Sequence, residues 1–539
     1  MSDEERETRK PGRTARLGLG ALSGLLAGCA ALSVAELAAA AVRPEAGPVI
    51  AVGGAAIDRT PAAVKDWAIR AFGTDDKLVL QSGILAVLAL LALAVGVLAT
   101  RYRRAGAAGI LLLGAAGAMA ATARPDSTGF ADALPSVVGA VTGAALLYFL
   151  TGRLPTSRRA SAKPPEGPVR EQGQGQGWDR RGFVVAAAAT AVASAGAGAL
   201  GRSLNGANGR DAVASRDSLD LPSADSPAPA VSRGAQVRVA GVSPFRTPNK
   251  DFYRVDTALV VPKVDAGTWR LRVHGAGTRG SRTFSYDDLL RRELIERDIT
   301  LTCVSNEVGG PYAGNARWIG VRLADLLADC GVVPPSRGGP ADQLVASSVD
   351  GMTIGTPVED VMDGRDALLA VGMNGEPLPF DHGFPVRMVV PGLYGYVSAC
   401  KWIDDLELTT FDAYDAYWVE RDWAREAPVK TQSRIDTPKP FARPRAGTVM
   451  VAGVAWAQHR GIDKVEIRID DGPWRDATLA AEDSRDTWRQ WSYAWQARKG
   501  GHTLTVRATD RTGETQTEKR TRTVPDGASG WHSVVVTVE

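Results

Sequence analysis

Hydrophobic positions change character near residue 201. Before it, five stretches are almost continuously apolar, at 17–42, 78–100, 105–122, 133–150 and 182–201, and a helix needs about 20 mostly apolar residues to cross the hydrocarbon core of a bilayer. Each stretch predicts a transmembrane helix, although the third is short and the fifth is rich in Ala and Gly. Beyond residue 240 the apolar runs shorten. Trp269–His274 alternates like a strand, Tyr286–Glu296 and Val321–Cys330 have helical spacing, and Val386–Val390 is an apolar run after Gly383 and Pro385.

These signals predict an N-terminal membrane anchor over 1–201 and an α+β body over 241–424. Between them, residues 202–240 are rich in Ser, Asp, Ala and Pro and read as a flexible linker. After Glu426 strands dominate: Val449–Ala457, Lys464–Ile469, Arg489–Trp495 and Leu504–Ala508, with Asp470-Asp471-Gly472-Pro473 as a hairpin turn. An immunoglobulin-like β-sandwich over 425–539 fits this pattern.

At 539 residues the chain is too long for one core. Its net charge of +3 is too small and dispersed for a nucleic-acid footprint. Cys29, Cys303, Cys330 and Cys400 are too irregularly spaced for a disulfide framework or a zinc site. Three of them, Cys29, Cys330 and Cys400, read as packing residues. The first histidine is His274, so a bis-histidine haem among the apolar runs is excluded.

Basic segments flank alternate connections, at Arg9–Arg16, Arg101–Arg104 and Arg153–Arg181. Basic loops favour the cytoplasm, so an inside N-terminus and five crossings place everything after residue 201 on the extracytoplasmic side of the cell membrane. The stretch Trp178-Asp179-Arg180-Arg181-Gly182-Phe183 looks like an internal twin-arginine export signal, and equally like an ordinary basic flank. Glu36 is the one charge within the apolar runs and lies toward an interface, so anchoring in lipid, or partner docking through small-residue faces such as Gly106–Gly117, is expected rather than transport.

In Ile299-Thr-Leu-Thr-Cys303-Val-Ser-Asn306-Glu307-Val-Gly309-Gly310 a β-prone run delivers one cysteine into a polar, glycine-rich loop. Such a loop can expose a thiolate to a metal or substrate. By itself the window also describes a core cysteine, just as His382 alone could be a core histidine and Arg387 a structural ion-pair partner.

The wider pattern resembles the sulfite oxidase family of molybdopterin enzymes across nearly all of residues 241–539. The resemblance is carried by Asn249-Lys-Asp-Phe252-Tyr253-Arg254-Val-Asp256-Thr257, the Cys303 loop, Ala316-Arg317-Trp318-Ile-Gly320-Val-Arg-Leu, Asp381-His382-Gly383-Phe384-Pro385-Val-Arg387, Pro391-Gly392-Leu-Tyr394-Gly395 and Lys401-Trp402. It implies a molybdenum–molybdopterin cofactor with Cys303 as the sole protein ligand to the metal. It further implies that Asn249, Phe252, Tyr253, Arg254, His382, Arg387 and Lys401, with Ser347 and Ser398, hold the pterin and its phosphate. Asn306, Glu307 and Arg317 are the expected substrate-side groups, by their closeness to Cys303 in sequence. Gly453-Val-Ala-Trp456, Ile467-Arg-Ile-Asp470-Asp-Gly-Pro-Trp474 and Arg507-Ala-Thr-Asp510 resemble the family's dimerisation domain and imply a possible homodimer.

Departures bear on the substrate. Sulfite oxidases proper place an Arg-Asn-His triplet where this chain has Val255-Asp256-Thr257, and two arginines where it has Glu307-Val308. Their active-site tyrosine would fall near Thr353 or Ile354. The Asn-x-x-Phe-Tyr pattern is similar to the periplasmic reductase of protein methionine sulfoxide. A small S- or N-oxide is therefore expected ahead of sulfite, with oxygen-atom transfer as the reaction. The chain carries no haem-attachment or iron–sulfur pattern, so electrons are expected to pass to an external carrier or a membrane quinone. A non-catalytic membrane scaffold that keeps this fold for partner binding is the alternative.

Overall fold

The computed structural model describes residues 13–61, 64, 72, 76–124, 126, 127, 129–154 and 180–539. The chain divides into two compact units, Met1–Gly209 with Thr257–Val260, and Arg210–Asp256 with Val261–Glu539. Its first helices are α1 (Arg13–Val42), α2 (Pro48–Arg59), α3 (Asp76–Ala99), α4 (Arg103–Thr122), α5 (Leu134–Gly152) and α6 (Arg180–Asp217).

Among the described residues, five helical segments are long and apolar enough to cross a membrane: Thr14–Val42, Lys77–Ala99, Arg103–Thr122, Phe130–Gly152 and Gly182–Gly201. They coincide with the five apolar stretches. Helix α2 lies between the first two and was not foreseen. Small residues bring these helices together, as expected where lipid gives no hydrophobic push. A Cβ on Gly24 of α1 would lie 2.0 Å from the Ala92 carbonyl oxygen of α3, and one on Gly139 of α5 would lie 2.4 Å from the Ala31 oxygen of α1.

The Gly106–Gly117 face does not serve an outside partner. Gly106 and Gly109 lie against Ala99 and Val95 of α3, and Gly114 and Gly117 against Ala140 and Ser136 of α5. Cys29 is exposed on α1 instead of packed. Of the twin-arginine stretch, Trp178 and Asp179 lie outside the described residues, as do 9–12 and 155–179 of the basic segments.

The expected flexible linker is a structured segment. Helix α6 continues to Asp217, Leu219, Leu221, Ala224 and Val231 pack on the core of the second unit, and Ser226 forms a parallel bridge to Ile295. Its few apolar side chains find a surface that composition alone did not reveal.

The second unit holds two five-stranded sheets and a pair of four-stranded ones. The first sheet orders β3 (Leu294–Thr302), β4 (Ala313–Arg322), β7 (Leu368–Met373) and β8 (Glu376–Pro377), with β9 (Arg387–Val389) also on β7. The other has the order β2 (Arg282–Ser285), β1 (Arg270–Gly275), β10 (Ile403–Thr409), β5 (Gln343–Ser348) and β6 (Thr353–Pro357), where β1 and β10 run parallel. Every residue of β7 is buried, as suits a strand covered on both faces.

Two expected helices are shorter than their apolar spacing. One spans Tyr286–Leu290, opened by a Ser285–Asp288 capping box, and the other Leu323–Asp329. Leu294 and Ile295 belong to β3 and Val321 to β4, because burial in the sheet overrides their helical spacing.

The C-terminal part has two antiparallel sheets. One orders β11 (Gln432–Thr437), β12 (Gly447–Trp456), β16 (Arg489–Ala497) and β15 (Thr478–Leu479); the other β14 (Arg475–Asp476), β13 (Ile462–Ile469), β17 (Gly500–Asp510) and β18 (His532–Val538). Val451, Ile467, Trp491, Val506 and Val536 share their apolar core. The Asp470–Pro473 turn joins β13 to β14, with Ile467 opposite Arg475. Trp488, Trp491 and Trp495 are buried, whereas Trp474 is half-buried and meets Trp531 edge-on at 4.9 Å.

Candidate active site

Strand β3 ends one residue before Cys303, and the loop 303–312 returns the chain to β4. Cys303 is buried; its N–H donates to the Tyr312 carbonyl at 2.9 Å and its carbonyl accepts from Asn306 N at 3.0 Å. The Asn306 Oδ1 accepts the Tyr312 N–H at 2.8 Å, which closes the loop on itself. Gly309 adopts φ +79°, a conformation that favours glycine, while Glu307 is exposed.

Three sequence-distant blocks meet beside this loop. The Phe252 ring lies over Gly314 of β4, where a Cβ would come within 2.7 Å of it, and it meets Trp318 and His382 edge-on at 5.9 and 5.5 Å. Tyr253 stacks on Phe252 at 5.1 Å and faces Tyr312 at 6.3 Å. Burial raises the Tyr253 hydroxyl well above its ordinary pKa, and the neighbouring Cys303 thiolate adds to this.

Arg387 is the unusual group. It is buried, its guanidinium sits 4.9 Å over the Trp318 ring, Nη1 donates to the His382 carbonyl at 3.1 Å, and Nε has no partner. Among the described residues no carboxylate pairs with it. Burial pulls its pKa down to about 10. A desolvated cation without a counter-ion is costly, so this arrangement suits an anionic ligand.

His382 is also buried, and desolvation lowers its pKa to about 4. It is therefore neutral at ordinary pH, and its Nε2–H donates to the Asn249 carbonyl at 2.9 Å. That leaves Nδ1 as an acceptor.

Lys401 reaches Asp256 at 2.8 Å and the Asp381 carbonyl at 3.2 Å, and Arg254 shares the same Asp256 oxygen at 2.8 Å. Gly383, at φ +106°, permits the close approach of Arg387 and Lys401, both 3.1 Å from where its Cβ would stand. The Asn249 side chain bonds Met373 O at 3.3 Å and accepts from Asn374 Nδ2 at 2.8 Å.

Other expected residues fall elsewhere. Arg317 lies opposite Asp298 in the β3–β4 ladder, bonded to it at 2.5 Å and to the Pro229 carbonyl at 3.1 Å. It is a ladder ion pair and is not brought to the thiolate, because closeness in sequence runs along β4 and away from the loop. Ser398 is fully buried, with its hydroxyl donating to the Leu393 and Tyr394 carbonyls at 3.0 Å. It offers no surface to a cofactor. Ser347 stands on β5, opposite Thr353 and Asp405, and makes none of the contacts that join the group.

Residues to which sequence reasoning gave no role include Gly314, Trp318, Asp256 as the shared counter-ion, and Asn374. The Asn374–Gly375 dipeptide is a hairpin signal, and Asn374 turns at φ 53° between β7 and β8. The use of its side chain to hold Thr247 O, Asn249 and the Arg317 N–H was not legible.

Residues 258–418 match the family model described as the oxidoreductase molybdopterin binding domain. Within this chain, that stretch is similar to the molybdopterin domain of the sulfite oxidases.

Mitochondrial sulfite oxidase of Rattus norvegicus is 32% identical over 288 residues, covering 46% of this chain and 52% of that protein. The chain thus spans about half the length of the mitochondrial sulfite oxidases it matches. Nitrate reductase [NADH] 1 of Oryza sativa subsp. japonica is 32% identical over 185 residues, 30% of this chain and 20% of its own length. The solved sulfane dehydrogenase SoxCD of Paracoccus pantotrophus overlaps 56% of this chain and 85% of its own, with 24% identity and a TM-score of 0.47. The family's cofactor is the molybdenum–molybdopterin group, and an unpaired buried Arg387 beside a neutral His382 and a loop cysteine suits its phosphate, pterin edge and metal.

Proposed function

We propose that this chain is a membrane-anchored, extracytoplasmic oxidoreductase that carries out oxygen-atom transfer on a small neutral S- or N-oxide, with molybdenum held by Cys303. The observation that carries the reading is the buried, counter-ion-free Arg387 in the group that surrounds the Cys303 loop. When bound, the cofactor supplies the two-electron chemistry. Arg387 and Lys401 are suited to its phosphate, and the His382 Nδ1 to a pterin N–H. Asn249, Phe252, Tyr253 and Arg254 line the same group. Asn306, with one end of its amide spent on Tyr312, keeps Nδ2 as a donor for a substrate oxygen, and Glu307 stands at the rim.

The charge balance favours a neutral substrate over sulfite. Arg254 and Lys401 share Asp256, Arg317 is paired with Asp298, and Arg434 with Asp436. A doubly charged anion would enter with little unpaired positive charge to meet it, at a cost of several kcal/mol. Electrons pass to an external carrier or a membrane quinone, and the C-terminal sandwich, read as immunoglobulin-like, supports a homodimer.

The deciding experiment is a screen of the purified full-length protein against S-oxides, N-oxides and sulfite with artificial electron donors and acceptors. Turnover of an S- or N-oxide, lost in Cys303→Ser with a changed Mo(V) electron paramagnetic resonance spectrum, is expected. A spectrum and turnover that are unchanged in Cys303→Ser would sink the reading.

A further inference from the structure

Strand β3 is the outer strand of its sheet, so the backbone groups on its free edge need partners from elsewhere. Its first half finds them in the segment around Ser226, which donates to Leu294 O at 3.1 Å and accepts from Glu296 N at 2.9 Å. Its second half, which delivers Cys303, finds them in the C-terminal sandwich. Thr300 N donates to the Asp486 carbonyl at 2.9 Å, and Gln458 Nε2 donates to both Thr300 O and Thr302 Oγ1 at 2.9 Å. Trp488 N completes the seam by donating to Thr300 Oγ1 at 2.8 Å.

The far side of the loop is held by the same sandwich. Arg434, fixed through Nε by Asp436 at 2.7 Å, donates from Nη1 to the Gly310 carbonyl at 2.8 Å. The His532 ring backs onto Gly309 so closely that a Cβ there would lie 2.1 Å from its Cδ2, and its Nδ1 accepts the Ile435 N–H at 3.0 Å. Residues 300–302 are therefore anchored on the turn after β12 and the segment before β16, and residues 309–310 on β11 and β18. Gln458 is 1% exposed, so these bonds form where water cannot replace them.

We propose that Gln458, Arg434 and His532 are positioning residues that fix the direction of the Cys303 sulfur, making the C-terminal sandwich a working part of the site. The proposal rests on the reading of Cys303 as the metal ligand. A ligand's effect on a metal depends on its orientation, and that orientation is set by the hydrogen bonds behind it.

The test is made on the full-length, cofactor-loaded protein. Gln458→Leu keeps the volume but cannot donate. At unchanged molybdenum content it is expected to alter the Mo(V) electron paramagnetic resonance spectrum and to lower kcat at least tenfold, with KM within about twofold. Arg434→Lys keeps a charge opposite Asp436 but loses the bond to Gly310, so it should shift the spectrum in the same way and decides the matter if Gln458→Leu does not fold. Gln496→Leu, on the exposed face of β16, should behave as wild type. Wild-type spectra and kcat in both variants, with only a lower melting temperature, would overturn the positioning role. A wild-type protein without molybdenum would overturn that role and the reading of the site together.

Discussion

At the scale of single residues, the chemistry depends on which charges are neutralised and which are left bare. Arg387 is buried without a carboxylate, so in cofactor-free protein it destabilises the fold. Arg387→Met should raise the stability of the cofactor-free chain by on the order of 1 kcal/mol while abolishing cofactor retention. Paired thermal melts and molybdenum analysis check this, and a destabilised cofactor-free variant would contradict it. Asp256 shows the converse. It serves Arg254 and Lys401 at once, while Arg254 also reaches Asp381 at 3.6 Å, so Asp256→Asn weakens both pairs and should cost on the order of 2 kcal/mol, measured by denaturant unfolding. The motif blocks announced Arg254 and Lys401, but nothing in their spacing announced that one carboxylate holds both.

Among the elements, the β3–β4 hairpin does most to build the site. Its ladder places Gly314 under the Phe252 ring and Trp318 under Arg387. Gly314→Ala would put a methyl 2.7 Å from the Phe252 ring. The expected result is a loss of about 1–3 kcal/mol from overpacking and a lower fraction of cofactor-loaded protein. A variant with wild-type cofactor content would show that Phe252 can move without consequence. The strand run ending at Cys303 was legible as a β-prone window, whereas the displacement of Arg317 was not. Arg317 is close to Cys303 along the chain, but the antiparallel ladder sets it opposite Asp298, five residues back along β3.

For the molecule as a whole, burial makes acid a destabilising condition. Desolvation lowers both His382 and His532 from 6.5 to about 4. Their unfolded forms bind protons before their folded forms do, so the stability gained by keeping them neutral is fully present above about 6.5 and declines as pH falls toward about 4. The melting temperature should fall across that window, and less so in His532→Gln; a flat profile would contradict the burial argument. Topology is tested separately, by fusing a reporter active only outside the cytoplasm after residue 240, where activity is expected. The sequence alone determined the five apolar helices, the mixed body, the strand-rich C-terminus and the blocks that gather at Cys303, because periodicity and local motif chemistry are written in neighbouring residues. Only the tertiary structure decided that residues 218–240 lie on the body, that Ser398 is sealed away, that Arg387 has no counter-ion and that sandwich side chains brace the cysteine loop. The outcomes for residues 218–240 and for the cysteine loop depend on contacts between segments far apart along the chain, such as Ser226 with Ile295 and Gln458 with Thr300, which no local pattern encodes.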